Sequence, residues 1–587
     1  MLKSNDVLTK ISNIHNGDKS QLSVITSENP RMIIEASAGS GKTKTLISSV
    51  AYNIATGLIP STKKILALTF SVNAAYKIKK DVIEQLPILF EDNDFSDTLV
   101  SKKILVSNYH GLCRKILGLY GFKLSDILTS LNEFNIIDDK KIPNEITLLD
   151  DEKEIIKNII DSISDADIQK MNNNIEKYNE IILTKIVFHK YITYNSIITL
   201  VIELFKRYPI LLKQYQNLFE LIIVDEYQDT NLLGYILLKM LITDKTRLLF
   251  FGDPLQRIYG FIGAIPNIMD ITKEKFNMKK IVLEQNYRFK DNPELLKLDR
   301  VIRLNSINSP NIQEISNPNI ICSNNYDSEY TWIISKVLEN ISSNINSTIL
   351  VKSLNNNFNT QYLLSKLKER DIPFFYALFT DESEEYILFH EHSYKELKKS
   401  IKDKKVVNKK ILEKFYSSIM LYYQSNSNPI YSSLLILLRK FIDSIYDIYS
   451  KYRMEDLINF IYDVLENKGL KQYMNKIDEK LIIATIHAYK GLESECIIVA
   501  DLESYNFPGY YTCSNCSEFG NGCRICGATE KQFLEELSVF YVAITRAKKD
   551  LYLTYSLTQR QKYGVKNCNK SCLLNLYGIG NENLIKI

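Results

Sequence analysis

Residues 36–45 read Ala36-Ser37-Ala38-Gly39-Ser40-Gly41-Lys42-Thr43-Lys44-Thr45, directly after the apolar run Met32-Ile33-Ile34. A buried strand must here run into a tight glycine turn and then straight into a helix, and few folds allow that. The pattern is G/A-x-x-x-x-G-K-[ST], with Ala36 where a first glycine is usual. Small residues let backbone N–H groups approach phosphate oxygens, Lys42 supplies a cation for the β/γ-phosphates, and the Thr43 hydroxyl can ligate Mg²⁺. Ala38, Gly39, Ser40, Gly41, Lys42, Thr43 and Lys44 therefore form the expected cradle for a nucleoside triphosphate.

A chain of 587 residues exceeds what one hydrophobic core usually serves, so several domains are expected. Apolar runs at 32–35, 65–69, 104–107, 221–224, 248–251 and 281–284 alternate with helical stretches, and a second set follows at 349–351, 481–485, 496–500 and 551–554. This alternation predicts two α/β domains with parallel sheets flanked by helices. The segments from about 120 to 205 and 380 to 475 are rich in Asn, Lys and Tyr and helical in period, and read as two helical insertions. The expected division is 1–119 with 206–280, interrupted by 120–205, then 281–379 with 476–587, interrupted by 380–475. A net charge of +4 is too mild to identify a polyanionic partner by itself. With no run of about 18 apolar residues, no membrane span is expected and the expected location is the cytoplasm, the nucleoid or a viral replication site.

The segment Leu221-Ile222-Ile223-Val224-Asp225-Glu226 is an apolar strand ending in two adjacent acids, at the sheet edge where α/β proteins bind ligands. Asp225 is expected to hold Mg²⁺ with Thr43, and Glu226 to orient and deprotonate an attacking water.

Further motifs follow in order: Leu68-Thr69-Phe70-Ser71, Ser107-Asn108-Tyr109-His110-Gly111, Gly252-Asp253-Pro254-Leu255-Gln256-Arg257-Ile258-Tyr259-Gly260, Leu283-Glu284-Gln285-Asn286-Tyr287-Arg288, Thr485-Ile486-His487-Ala488-Tyr489-Lys490-Gly491-Leu492-Glu493 and Tyr541-Val542-Ala543-Ile544-Thr545-Arg546. With the two sites above, this set resembles superfamily 1A DNA helicases of the UvrD/Rep/PcrA type. The resemblance implies two RecA-like domains with two helical insertion subdomains, ATP and Mg²⁺ as cofactors, and movement 3′ to 5′ on single-stranded DNA coupled to strand separation. Gln21 then resembles the adenine-reading glutamine, Tyr287 the ring stacked on the base, and Glu493 the ribose contact. Gln256 resembles the γ-phosphate sensor, and Arg288 and Arg546 resemble arginine fingers. Phe70, Tyr109, His110, Tyr259, Phe261 and His487 fall in motifs where the family contacts DNA. Where the family commonly carries Trp-Arg, this chain has Phe261-Ile262, which keeps a stacking face and loses a cation.

A second departure is Cys513-x-x-Cys516-x6-Cys523-x-x-Cys526. Paired C-x-x-C knuckles suit a small structural Cys₄ zinc site, with an iron–sulfur cluster as the alternative. Expected partners are single-stranded and tailed duplex DNA, with a nuclease or repair protein beside them. The competing reading is a DNA-end-sensing ATPase subunit that regulates a partner nuclease, as in Gabija-type antiphage defence.

Overall fold

The computed structural model describes residues 4–587 apart from 71, 91–101, 130, 132–133, 261–262, 308–311, 353–357, 381–382, 402–405, 449–453, 467, 510–512, 514–529 and 562–563. The chain divides into two units, residues 1–285 and 286–587.

In the first unit the strands are β1 (Arg31–Ala36), β2 (Lys64–Thr69), β3 (Ile104–Asn108), β4 (Asn135–Ile137), β5 (Tyr191–Thr193), β6 (Phe219–Val224), β7 (Arg247–Gly252) and β8 (Lys279–Leu283). Six of them form a parallel sheet in the order β3-β2-β6-β7-β1-β8. Their near-continuous apolar runs follow from burial on both faces. Ile33, Leu66, Leu68, Ile222, Val224, Leu248 and Phe250 face one core. Met32, Ile34, Ile65, Ala67, Leu221, Ile223, Leu249 and Phe251 face the other. β8 pairs with β1 from Lys279 to Leu283, so the first sheet runs past residue 280, where the sequence placed the boundary. Strand pairing decides this, and apolar content alone could not.

The first insertion carries the helices Asp150–Asp165, Ile168–Ile181 and Tyr194–Arg207, with β4 and β5 paired in parallel, and the helix Pro209–Leu218 leads from it into β6. Its Ile156, Ile159, Met171 and Tyr178 join Ile222 and Phe250 in one cluster, so insertion and sheet share a continuous core.

The second unit has β9 (Asn319–Ser323), β10 (Ser347–Val351), β11 (Phe375–Ala377), β12 (Leu481–Thr485), β13 (Ser494–Val499), β14 (Ala547–Ser556), the antiparallel pair β15 (Thr558–Gln561) and β16 (Gly564–Asn567), and β17 (Leu584–Lys586). Seven strands form a parallel sheet in the order β11-β12-β10-β13-β14-β9-β17. Of these, β9, β11 and β17 carried no clear strand signal in the sequence. Between β11 and β12 lie the helices Glu384–Ile401, Lys409–Tyr423, Pro429–Ile448 and Met454–Glu466, whose Phe389, Leu412, Leu438 and Ile461 are buried. No described helix is long and apolar enough to cross a membrane.

Candidate functional site

β1 ends at Ala36 and the helix Lys42–Ala55 begins six residues later. Ala36 stays in the ladder opposite Leu283 and has no positive φ, which is why alanine serves where a glycine is usual. The left-handed turns fall instead at Gly39 (φ 83°) and Gly41 (φ 81°), where a Cβ would be strained. Gly41 caps the helix with no side-chain hydrogen bond, leaving the first-turn N–H groups free of an internal acceptor. A helix start of this kind favours an anion.

Opposite the loop, the Asp225 N–H donates to the Leu68 carbonyl at 2.8 Å, which holds the two acids at the carboxyl edge of the sheet. Lys42 Nζ lies 3.2 Å from Asp225 Oδ1 and also ion-pairs with Glu226 Oε1, across 184 residues of sequence. Burial disfavours the Lys42 charge, but Asp225 and Glu226 outweigh it and hold the ammonium well above its ordinary pKa. Burial pushes the Asp225 carboxyl up, against the opposing pull of Lys42. Asp225 Oδ1 is buried and accepts no hydrogen bond, so its one partner is a charge. A buried carboxylate oxygen of this type, with the Thr43 hydroxyl at the head of the helix, suits a hard divalent cation such as Mg²⁺.

Glu226 sits at φ 52°, a strained conformation for a residue with a side chain. Gln228 fixes it: its Nε2 donates to Glu226 Oε2 at 2.6 Å while its Oε1 accepts from the Asp253 N–H at 3.1 Å. Asp253 in turn takes a 2.8 Å bond from Gln256 Nε2. The expected γ-phosphate sensor is thus tied through Asp253 and Gln228 to the expected base. Sequence reasoning passed over Gln228, although the run Asp225-Glu226-Tyr227-Gln228 carried it.

Gln21 is buried beside the loop, its Nε2 donating to the Ser40 carbonyl at 2.8 Å. Its Oε1 meets His15 Nδ1, and His15 Nε2 meets Ser48 Oγ at 2.8 Å on the helix that follows the loop. Burial lowers the His15 pKa, and its bond to Gln21 opposes this only partly. The Lys44 side chain turns away and donates to the Ile14 carbonyl at 2.6 Å, which ties the first turn of the helix to the N-terminal helix and leaves only the Lys44 backbone N–H for the loop.

Phe70 and Tyr259 stack with centroids 4.9 Å apart and planes at 28°. Both are half-buried. Tyr109 needs correcting as a DNA contact: it is 5% exposed and its hydroxyl meets Thr230 Oγ1 at 3.1 Å, so its ring belongs to the core. His110 packs edge-on against Tyr194 at 6.1 Å, and burial lowers its pKa to about 4, so it is a neutral ring and no phosphate-binding cation. Phe261 and Ile262 lie outside the described residues.

In the second unit Arg288 ion-pairs with Glu493 and donates to the Thr545 carbonyl, while Lys548 Nζ lies 3.6 Å from Glu493. Arg546 donates to the Val542 carbonyl and to Thr545 Oγ1, at 3.0 Å each. Motifs far apart in sequence thus converge on one cluster. Tyr287 and His487 are half-buried. Cys513 is buried, its Sγ 3.5 Å from the Pro508 carbonyl and 3.3 Å from the Tyr505 N–H. Cys516, Cys523 and Cys526 lie outside the described residues.

A parallel sheet with a glycine loop leading into a helix at its carboxyl edge, and a lysine facing two strand-end acids, defines the class of P-loop nucleoside triphosphate-binding proteins. Residues 18–277 match the family model of the UvrD/REP helicase N-terminal domain, and residues 379–558 match that of the UvrD-like helicase C-terminal domain. Curated relatives include proteins named ATP-dependent DNA helicase PcrA. That of Staphylococcus aureus is 31% identical over 296 residues, covering 47% of this chain and 38% of the relative. That of Staphylococcus epidermidis is 31% identical over 330 residues, covering 50% and 41%. That of Leuconostoc citreum is 31% identical over 296 residues, covering 47% and 37%. The chain belongs to the UvrD/PcrA-like helicases of superfamily 1A. It spans about two fifths of the length of the curated relatives it matches.

Proposed function

We propose that the chain is an ATP-dependent DNA helicase that moves 3′ to 5′ on single-stranded DNA and couples ATP hydrolysis to strand separation. The observation that carries this reading is the meeting of Lys42 with Asp225 and Glu226 at one sheet edge, within a chain that two helicase family models match. Thr43 and Asp225 would hold Mg²⁺, which would supply charge neutralisation at the phosphates. Lys42 releases its acids and turns to the β/γ-phosphates, and the N–H groups of the Gly39–Gly41 turn hold the anion. Glu226, set by Gln228, orients the water and takes its proton. By the family resemblance, Gln256, tied to Asp253, serves as the γ-phosphate sensor, Arg288 and Arg546 as arginine fingers, and Gln21, Tyr287 and Glu493 as base and ribose contacts. Phe70 and Tyr259 offer a stacked aromatic pair to bases, a contact that tolerates any sequence.

The residues divide the labour between a first unit of 1–285, carrying the insertion 120–205, and a second of 286–587, carrying the insertion 380–475. The Cys513, Cys516, Cys523 and Cys526 spacing supports a structural zinc site. Purified protein should carry about one zinc per chain by elemental analysis. Iron with visible absorbance would mean a cluster instead. The function itself is tested by strand displacement on duplexes with 3′ or 5′ tails, with Glu226→Gln as control. Unwinding of 5′-tailed substrates alone, or undiminished turnover in Glu226→Gln, would refute it.

A further inference from the structure

The carboxyl edge of the second sheet holds three acids that no step above uses. Glu329, on the first turn of the helix Tyr326–Ser342, meets Asp501 and Glu503, which follow β13. All three are fully buried, and one carboxylate oxygen from each lies within 4.8 Å of the others. Neutral hydrogen-bond donors reach all three. Thr554 Oγ1 donates to Glu329 Oε1 at 2.5 Å, Tyr330 to Asp501 Oδ1 at 2.5 Å, and Asn359 Nδ2 to the same oxygen at 3.1 Å. The Ser556 N–H and Gln559 Nε2 donate to Glu503 at 2.7 and 3.0 Å. Among the described residues, neither Glu329 nor Glu503 forms an ion pair with a lysine or arginine.

Two observations beyond the acids point to a ligand. Glu329 Oε2 is buried with no hydrogen-bond partner, and so is Ser323 Oγ. Ser323 pairs with Ser556 in the parallel ladder, which puts both side chains on the same face of the sheet, and Ser556 Oγ lies 3.3 Å from Glu503 Oε1. The Ser323 hydroxyl therefore faces the cluster from a third strand. Asp501 is also held at φ 62°, the kind of local strain that surrounding structure must enforce.

We propose that Glu329, Asp501 and Glu503 bind a hard divalent cation, with the Ser323 hydroxyl as a further oxygen ligand. All-oxygen donors with several carboxylates select Ca²⁺, Mg²⁺ or Mn²⁺ over zinc. Three oxygens within 4.8 Å of one another can all reach one ion at bonds near 2.4 Å, the Ca²⁺ range. With no cation, the acids must share protons to stay buried, and burial beside Asp501 does push the Glu329 pKa up to about 8. The site would tie β9, β13, β14 and the helix at Tyr326 together, and its role is structural because the cluster is closed to solvent.

The test uses the 587-residue chain, stripped by chelator and kept free of nucleotide. Titration calorimetry with Ca²⁺ should give about one ion per chain, and the melting temperature should rise with Ca²⁺. Glu329→Gln should lose both responses while melting no lower than the stripped parent, since it removes a buried charge and keeps the shape. Glu503→Gln serves as the second variant, with the same expectation. Asp225→Asn, which alters the nucleotide site, should retain Ca²⁺ uptake, and loss there would place the ion at the first sheet and overturn the proposal. Uptake of Mg²⁺ or Mn²⁺ that depends on Glu329 would support the site with a smaller ion. Absence of stoichiometric uptake of any of the three, or uptake that survives both glutamine variants, would refute it and leave shared protons as the explanation.

Discussion

The two sheets meet the same problem at their carboxyl edges and answer it differently. In the first, Asp225 and Glu226 face Lys42, whose ammonium neutralises them until phosphate arrives. In the second, Glu329, Asp501 and Glu503 crowd together with hydroxyl and amide donors around them. A buried carboxylate needs a counter-charge or a proton, and the choice decides what the edge can do. A lysine at the head of a helix, on a long side chain, can leave its acids for a ligand, so the first edge can switch. Among the described residues Glu329 and Glu503 have no lysine or arginine to release, so the second edge is suited to holding an occupant in place.

The largest effect that separates them should come from Lys42→Ala. Loss of this cation should lower DNA-stimulated ATP turnover by about 10²–10³-fold, measured by phosphate release. It should also lower the melting temperature of the nucleotide-free protein, because Asp225 stays buried without its ion pair. Charge removal at the second edge, as in Glu329→Gln, should do the opposite to the metal-free protein. Equal losses of stability in both variants would break the contrast.

Next in size is Gln228→Ala, which frees Glu226 and Asp253 from their shared clamp. Turnover should fall by about 10-fold or more with nucleotide affinity nearly unchanged, since an orienting group acts on kcat. Parallel binding titrations and turnover measurements check the split. Weakened affinity with kcat intact would mean that Gln228 contacts nucleotide instead.

A pH dependence distinguishes the edges further. The Glu329 pKa is raised from 4.5 to about 8, burial being the main cause and Asp501 the second. A carboxyl raised on folding stabilises fully below the unfolded value, and that stability is lost as pH rises through the folded one. Metal-free protein should therefore lose melting temperature between pH 4.5 and about 8, and Ca²⁺ should restore it at the upper end. Glu503, whose pKa is also raised by burial and by the neighbouring acids, contributes to the slope, whereas the Tyr330 hydroxyl and the Cys568 thiol, both pushed further up, keep their protons throughout that range. Glu329→Gln should flatten it. A slope unchanged in that variant would remove Glu329 as its source.

The smallest expected effect is at His15, which steadies Gln21 against the loop. His15→Ala should weaken nucleotide binding by a few-fold, about 1 kcal/mol for one buried hydrogen bond. Unchanged affinity would show that Gln21 keeps its place through Ser40 alone.

Much of the first edge was legible in the sequence. The spacing of Gly39, Gly41 and Lys42, and a strand ending in Asp225-Glu226, are local signals, because loop and strand each carry their chemistry within a few residues. The ten apolar runs read as strands all lie in or overlap strands of the two sheets. Tyr109 was misread because a motif position does not reveal which way a ring points, and here it points into the core. β9, β11 and β17 escaped because short strands owe their existence to pairing with neighbours far along the chain.

The sequence by itself determined the phosphate loop, the alternation that builds two parallel sheets, and the family, since each is written in contiguous residues. Only the tertiary structure decided that Gln228 clamps Glu226, that His15 buttresses Gln21, and that Glu329 meets acids more than 170 residues away. Those contacts arise from strand order and from which face each side chain takes, and no local pattern records either.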